Sequence, residues 1–520
     1  MKQDALITQR RVLRTTLAVA TLAILTFGSS ALAATDPIPW TGPVPTANCG
    51  RWDWTESGLQ GQTTPWERES GDSEGGYNCN LELVGQFQGE GARSQGGPAY
   101  IDHCAYYLTN NDPLQQRPGV VVVDASDPRH PRPTTYLDDP VFLDPHETLK
   151  ANQRRKLIAG SRRDSTGFAV YDASADCARP VLKGSIDLPG SSAHMGNFAP
   201  DGMTYYVGQS FRGIGGFMHI VDLADPSNLK QLPPWQFLGD GRPHGVWLNE
   251  AGTRLYAGQP GTFGSPITGS SFGPNGLVIL DVSDYQFRRP NPQIQIVSKL
   301  FWDDQGQVEE MYPFSQNGRQ YVVSSDESGG NGGAGGAPAA CARGASPHGY
   351  PNVIDITDER NPKIVAQLKL EVSDNANCEL ILNDPPEVGG GILGYHVERC
   401  VPDRPSNPTM LACAFQQAGL RVFDIRDLSR PKEIAYYKSP AMRTAFLPGS
   451  GSWSPGVDRT TDRTAGYPRW VKVPANEEHG RELHIWFVSD ANGFQIVRFT
   501  TDFLEREKSL QKGLFADSVE

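Results

Sequence analysis

The chain has 520 residues, 38% of them hydrophobic and 20% charged, with a formal net charge of −12. That acidity excludes a nucleic-acid binder working through the phosphate backbone, which needs a basic surface. The length exceeds an ordinary single domain unless the chain is built of repeats.

Residues 1–33 read as an export signal. Arg10, Arg11 and Arg14 precede an apolar run from Leu17 to Phe27, and Ala31-Leu32-Ala33 forms a small-x-small cleavage site before Ala34. The run is too short to span a bilayer and no second hydrophobic segment follows, so no membrane insertion is expected. The stretch Gln9–Arg14 looks like a twin-arginine signal that lacks the usual Ser/Thr before the pair, with Sec export as the alternative. Either route delivers a periplasmic or secreted protein. Removing the signal's four basic residues and one Asp brings the charge near −15.

Residues 34–77 are rich in Pro, Gly, Trp and acidic groups without periodicity, and are expected to form an irregular extension wrapping the surface. LELVGQFQG (Leu81–Gly89) then reads as the outer strand of a repeat that lacks its inner strands. The last repeat has the complementary defect: VKVPANE, LHIWFVSD and FQIVRFT supply three strands and no fourth. The two ends are therefore expected to complete one sheet and remove its open edge. Residues 503–520 are a polar tail.

Between the ends lies a repeat, clearest from His244 to Asp284. HGVWLNEAGTRLYAG alternates about a turn at Asn249–Gly252 and reads as a β-hairpin. GLVILDVSD is a short apolar run rich in β-branched residues, and QIQIVSKL (Gln293–Leu300) supplies a fourth strand. The third-strand motif recurs as VVVVDASD, FAVYDASAD, MHIVDLAD, NVIDITD and LRVFDIRD, with a frayed copy, GFQIVRFT. Its aspartates, Asp124, Asp172, Asp222, Asp281, Asp355 and Asp424, stand 48, 50, 59, 74 and 69 residues apart. A unit near the low forties with variable loops is the period of a propeller blade. The expected fold is all-β: a seven-bladed β-propeller over residues 78–502. The paired aspartates, such as Asp124 with Asp127, read as turn residues capping the third strand.

These motifs resemble the LVIVD-repeat family of seven-bladed β-propellers, over nearly the whole chain from Asn78 to Thr500. The resemblance implies the architecture and says little about activity.

All eight cysteines follow the signal, an even number in an oxidising compartment. Blade topology suggests Cys104 with Cys177, Cys341 with Cys378, Cys400 with Cys413, and Cys49 with Cys79; free buried thiols are the alternative. No CxxC spacing supports a zinc or thioredoxin-like role.

Chemistry is expected where the first strands open. His146, His194 and His244 each stand eleven residues before a second-strand core. The same register gives Glu310 in the fifth blade, and His396 in the sixth with a three-residue insertion. It gives Gln95 in the first blade and blurs near Arg469 in the seventh. First strands line the channel, so these side chains are expected to converge on the axis at the top face. Above them would lie the Gln259–Asn275 loop and a glycine-rich lid, Ser325–Ser346. Four imidazoles and a carboxylate suit one transition metal ion, Fe, Cu, Mn or Zn, with Glu310 binding it or orienting a ligand. His348 follows the lid and is a candidate catalytic acid/base. The competing reading makes each register histidine a repeat residue bonded to a neighbouring blade's backbone. His103, His130, His219, His479 and His484 fall off the register and read as ordinary.

No GxSxG or HExxH motif is present, and the glycine-rich segment lacks the GK[ST] of a phosphate cradle. The expected function is an exported metal-dependent enzyme acting on a small organic substrate, favoured as an oxidase or oxygenase, with lyase or hydrolase chemistry next. The alternative is a non-catalytic scaffold that binds a protein or glycan through its top loops. Oligomeric state is left open.

Overall fold

Seven antiparallel sheets, each joining four consecutive strands or their equivalent, make a seven-bladed β-propeller. The computed structural model describes residues 39–89, 91–109, 117–209, 217–236, 243–260, 275–330, 336–383, 394–442, 459–474 and 481–508. The export signal, most of the Gln259–Asn275 loop and part of the glycine-rich lid lie outside the described residues. No described helix is long and apolar enough to cross a membrane.

The innermost strands are Ala99–Ile101, Lys150–Asn152, Ala193–Phe198, Val246–Leu248, Val308–Gln316, Arg399–Pro402 and Arg469–Val473. The second and third strands of each blade are sandwiched between neighbouring blades. Val120–Asp124, for example, is buried at every position, which is why the motif is a continuous apolar run and not an alternation. Outer strands face water on one side: Val181–Asp187 is largely exposed. The core is correspondingly distributed, as where Tyr206, Met218 and Ile220 of the third blade pack on Leu255, Val278 and Leu280 of the fourth. The six aspartates of the motif end their strands as local turn caps. Asp124, Asp172, Asp222, Asp281, Asp355 and Asp424 each accept the backbone N–H two residues on, at 2.8–3.1 Å. Outer-strand pairing shifts register in the same place in blade after blade, as between Val122 and Val123 or Val353 and Ile354, and such bulges increase twist.

The ring closes as the sequence implies. Leu81–Phe87 pairs antiparallel with Gly493–Phe499, from Leu81 opposite Phe499 to Phe87 opposite Phe494, and completes the seventh blade. Just before it, Tyr77–Cys79 adds a fifth strand to the sixth blade, pairing with Lys438 to Tyr436. The segment ahead of that strand carries a short helix, Pro65–Ser70, with a Thr64–Glu67 capping box. All four expected cysteine pairs are disulfides: Cys49–Cys79, Cys104–Cys177, Cys341–Cys378 and Cys400–Cys413. Four bridges are the mark of an oxidising, extracytoplasmic setting.

The extension is pinned electrostatically. Glu56 accepts from Arg421 at 2.7 Å and Lys438 at 3.2 Å, both cations fully buried against the sixth blade. Burial alone would raise its carboxyl; Arg421 and Lys438 outweigh that and hold it below the usual range. Glu56→Ala leaves buried Lys438 without its carboxylate and Arg421 with Glu433 alone, and is expected to cost about 3 kcal/mol, read by urea unfolding.

Candidate metal centre

The second blade opens with a tight turn, Pro145 to Leu149, that puts His146 and Glu147 on the axis. Thr148 donates to the carbonyl of Ser161 at 2.7 Å and accepts the Ser161 N–H, locking the turn to the next strand. His146 has a left-handed backbone, φ 46°. That conformation costs a residue with a Cβ about 1–2 kcal/mol, so packing must enforce it. His194 sits on the inner strand of the third blade, where a bulge lies between Ala193 and Gly196. His244 leads into the fourth, its N–H bonded to the Gly258 carbonyl at 2.7 Å. Gly245 follows because blade five comes so close: a Cβ there would meet the Glu309 carbonyl oxygen at 2.0 Å.

Three of the register histidines are therefore brought together, and a carboxylate stands among them. His146 Nε2 lies 3.3 Å from one oxygen of Glu147, and His194 Nε2 3.3 Å from the other. His244 Nε2 is 3.7 Å from the same oxygen as His194 and, through Nδ1, 3.0 Å from Glu309. The His194 ring lies 4.8 Å from that of His146 and 4.9 Å from that of His244. The atoms fall into two overlapping groups of metal-ligand type, His146–Glu147–His194 and Glu147–His244–Glu309, with Glu147 common to both.

His396 and Glu310 are placed elsewhere. His396 pairs with His348, ring centroids 4.7 Å apart, and its Nδ1 accepts the Gly349 N–H at 2.9 Å. Glu310 turns toward the sixth blade, accepting the Cys400 N–H at 3.3 Å. The cause is a register shift between Val308 and Glu310, which hands the axial position to Glu309. Gln95 does reach the axis, donating to Glu398 at 3.2 Å. In the seventh blade that role falls to Arg463, 2.9 Å from Glu398, and not to Arg469.

The sequence reading missed the carboxylates and guanidiniums that fill the axis. Glu309, Glu327 and Glu398 bring carboxylate oxygens within 4.8 Å of one another, all buried. Arg399, itself fully buried, contacts Glu309, reaches Glu398 at 3.5 Å and Glu147 at 3.6 Å. The available signal was the immediate neighbourhood of the register: Glu147 follows His146, Glu309 precedes Glu310, and Glu398-Arg399 follow His396.

Burial sets the protonation of the cluster. Desolvation holds His146 and His194 well below the ordinary imidazole value, helped by His194 on the first and His244 on the second; His244 is lowered too, by burial. All three are neutral, ligand-ready imidazoles. Burial and then the Glu309 charge push Glu147 up to about 7. Burial raises Glu309, Glu327 and Glu398 as well. Arg399 goes the other way: burial would lower it, but Glu309, Tyr467, Glu147 and Glu398 keep it firmly charged. Desolvation pushes His348 down to about 3, so its imidazole is neutral as well.

Glu147, Glu309, Glu327 and Glu398 thus share the guanidiniums of Arg399 and Arg463, and Arg463 is shared in turn with buried Asp490 at 3.7 Å, so carboxylates outnumber guanidiniums. The shortage of positive charge is met either by retained protons or by a bound cation. The Glu147 oxygen that meets His194 and His244 is approached by these imidazole nitrogens, at 3.3 and 3.7 Å, which is the donor chemistry of a metal site.

No family model matches the chain, and no curated protein matches it. Among solved structures it is similar to the periplasmic gluconolactonase of Pseudomonas aeruginosa, at 13% identity and a TM-score of 0.36, over 52% of this chain and 68% of that one. It is also similar to Sqt1 of Saccharomyces cerevisiae, at 8% identity and a TM-score of 0.45, over 81% and 99%. Both likenesses are distant, and the fold rests on the blades themselves.

Proposed function

We propose that this chain is an exported, metal-dependent enzyme acting on a small organic substrate, with its ion held on the propeller axis. The observation that carries the reading is the set of three neutral imidazoles, from three successive blades, gathered around the Glu147 carboxylate. His146, His194 and Glu147 would hold the ion, with His244 and Glu309 beside them. Nitrogen and oxygen donors without sulfur suit Mn, Fe or Zn, and imidazole also suits Cu. Such an ion polarises a bound carbonyl or activates water, and Fe or Cu adds oxidase or oxygenase chemistry. Around it, Arg399 would hold Glu309, Glu398 and Glu147 in place, and His348, beside His396, would be the candidate acid/base. The repeated third-strand motif supports membership of the LVIVD-repeat propellers, and the four disulfides with the N-terminal signal support a periplasmic or secreted location.

The test is metal analysis of the purified mature protein, followed by titration of the stripped protein with Mn(II), Fe(II), Zn(II) and Cu(II). One bound ion per chain is expected. Binding should release protons, because the raised carboxyls must give theirs up, and affinity should fall as pH drops below about 7, where Glu147 retains its proton. Absence of stoichiometric binding for all four ions would leave the propeller as a scaffold that binds a protein or glycan.

A further inference from the structure

Below the axial cluster the channel widens into a second cavity, of about 320 Å³, open at the far ends of the inner strands. That volume matches a small cofactor-sized or single-ring-system ligand. Its walls are aromatic: Tyr100, Trp247, Tyr312, Tyr467 and Trp470 all line it. Trp247 packs on Tyr312 with centroids 4.2 Å apart and stands 6.2 Å from Tyr467. Flat rings presented this way favour a flat ligand, which gains contact area and offset stacking at little entropic cost.

The charged groups of the cavity have the sign opposite to the chain's. Lys150, Arg404 and Arg469 line it against a single carboxylate, Asp403, in a protein of net charge −12. Asp403 is matched to Arg404 at 3.4 Å. That leaves Lys150 and Arg469, neither of which makes an ion pair among the described residues. Lys150 donates to the Glu147 carbonyl at 2.5 Å and lies over the Tyr467 ring at 4.6 Å. Arg469 donates to the Asp102 carbonyl at 2.7 Å and stacks over Tyr100 and Trp486 at 5.3 Å. Two further donors are buried without an acceptor among the described residues, the Tyr467 hydroxyl and the Trp247 indole N–H. Burial lowers the Lys150 ammonium to about 7, so Arg469 is the firm cation without an ion pair and Lys150 is a further donor.

We propose that this lower mouth is a binding site for a small planar aromatic carboxylate, its ring against Trp247, Tyr312 and Tyr467, its charge drawn by Arg469, and Lys150 a further hydrogen-bond donor. A neutral ring would leave the Arg469 charge unused, and a flexible aliphatic acid would waste the aromatic walls. Charge-assisted hydrogen bonds to a carboxylate are the strongest contacts such donors can make. Lys150 joins this wall to the axial centre through the Glu147 carbonyl, but the proposal requires no ion on the axis.

The experiment is calorimetric titration of the full mature protein with three probes: 2-naphthoate, its neutral amide 2-naphthamide, and cyclohexanecarboxylate. Saturable binding of one 2-naphthoate per chain is expected, at least about tenfold tighter than either control, which is roughly 1.4 kcal/mol. Quenching of tryptophan fluorescence should accompany it. Trp247→Leu and Arg469→Gln should each weaken 2-naphthoate by about tenfold or more while the circular dichroism spectrum stays unchanged. No saturation by 2-naphthoate, equal binding of the amide, or binding indifferent to both substitutions would overturn the proposal. Should either variant fail to fold, the ranking of the three probes on the unaltered chain decides the matter. Loss of metal binding in a His194→Ala protein that still takes up 2-naphthoate would confirm that the two sites are separate.

Discussion

His146→Ala and His194→Ala should each reduce metal affinity by roughly 100-fold or more, while His396→Ala and Glu310→Ala leave it nearly unchanged. The first pair removes an imidazole whose Nε2 stands 3.3 Å from Glu147. The second pair removes groups turned toward His348 and toward the Cys400 backbone. The fold should survive the first two changes. Both rings project into the channel and belong to none of the apolar clusters that join blade to blade, so a cost near 1 kcal/mol is expected. Calorimetry with the ion that loads best, alongside circular dichroism, reads both quantities. An equal loss at His396 would restore a ring of four imidazoles and refute the three-histidine centre.

Arg399→Met should be the most damaging single change in the channel, at about 3–5 kcal/mol. It removes a fully buried guanidinium from Glu309, Glu398 and Glu147 and deepens the shortage of positive charge. Without metal, the folded carboxyls must hold more protons. They already titrate above the ordinary glutamate value of about 4.5, Glu147 at about 7. Across that window the folded chain keeps protons that the unfolded chain has released, so this contribution to stability falls as pH rises. The buried histidines act oppositely, because below the ordinary imidazole value near 6.5 the unfolded chain binds the protons they refuse. The variant's added loss should therefore be larger at pH 8 than at pH 5. A divalent ion should recover more stability in the variant than in the parent, since it supplies the missing charge and binds only the folded form. Urea unfolding at both pH values, with and without the ion, checks this. A loss that is the same in all four conditions would show that no cation shares the cluster with Arg399.

Much of the architecture was legible because its causes are local. A blade's third strand is buried on both faces and ends in an aspartate that caps its own turn, and both features are written within eight residues. The orphan outer strand at Leu81 and the three-strand repeat at the other end named each other as partners. The cysteine pairs followed from which loops share a face, as with Cys104 and Cys177, 73 residues apart in sequence.

The site was legible only in part. The spacing between His146, His194 and His244 and their second strands is regular, and those three do meet. Counting failed where the backbone departs from strict alternation. Since successive side chains point to opposite faces, a shift of one residue exchanges the group that faces the channel for its neighbour. The irregularity between Val308 and Glu310 does this in blade five, giving Glu309 the axis. In the sixth blade the eleven-residue count back from Met410 falls on Arg399, which pairs opposite Ala414 and lies among the axial carboxylates, while His396 stands three residues before it, beside His348. The sequence by itself thus determined the blade repeat and the ring closure, because each depends on periodicity, turn chemistry or strand count, and it suggested the disulfide pairs that the structure shows. The tertiary structure alone decided which carboxylates and guanidiniums share the axis. Those contacts join residues hundreds of positions apart, such as Glu147 and Arg399, and are fixed by how seven inner strands are offset around a common centre.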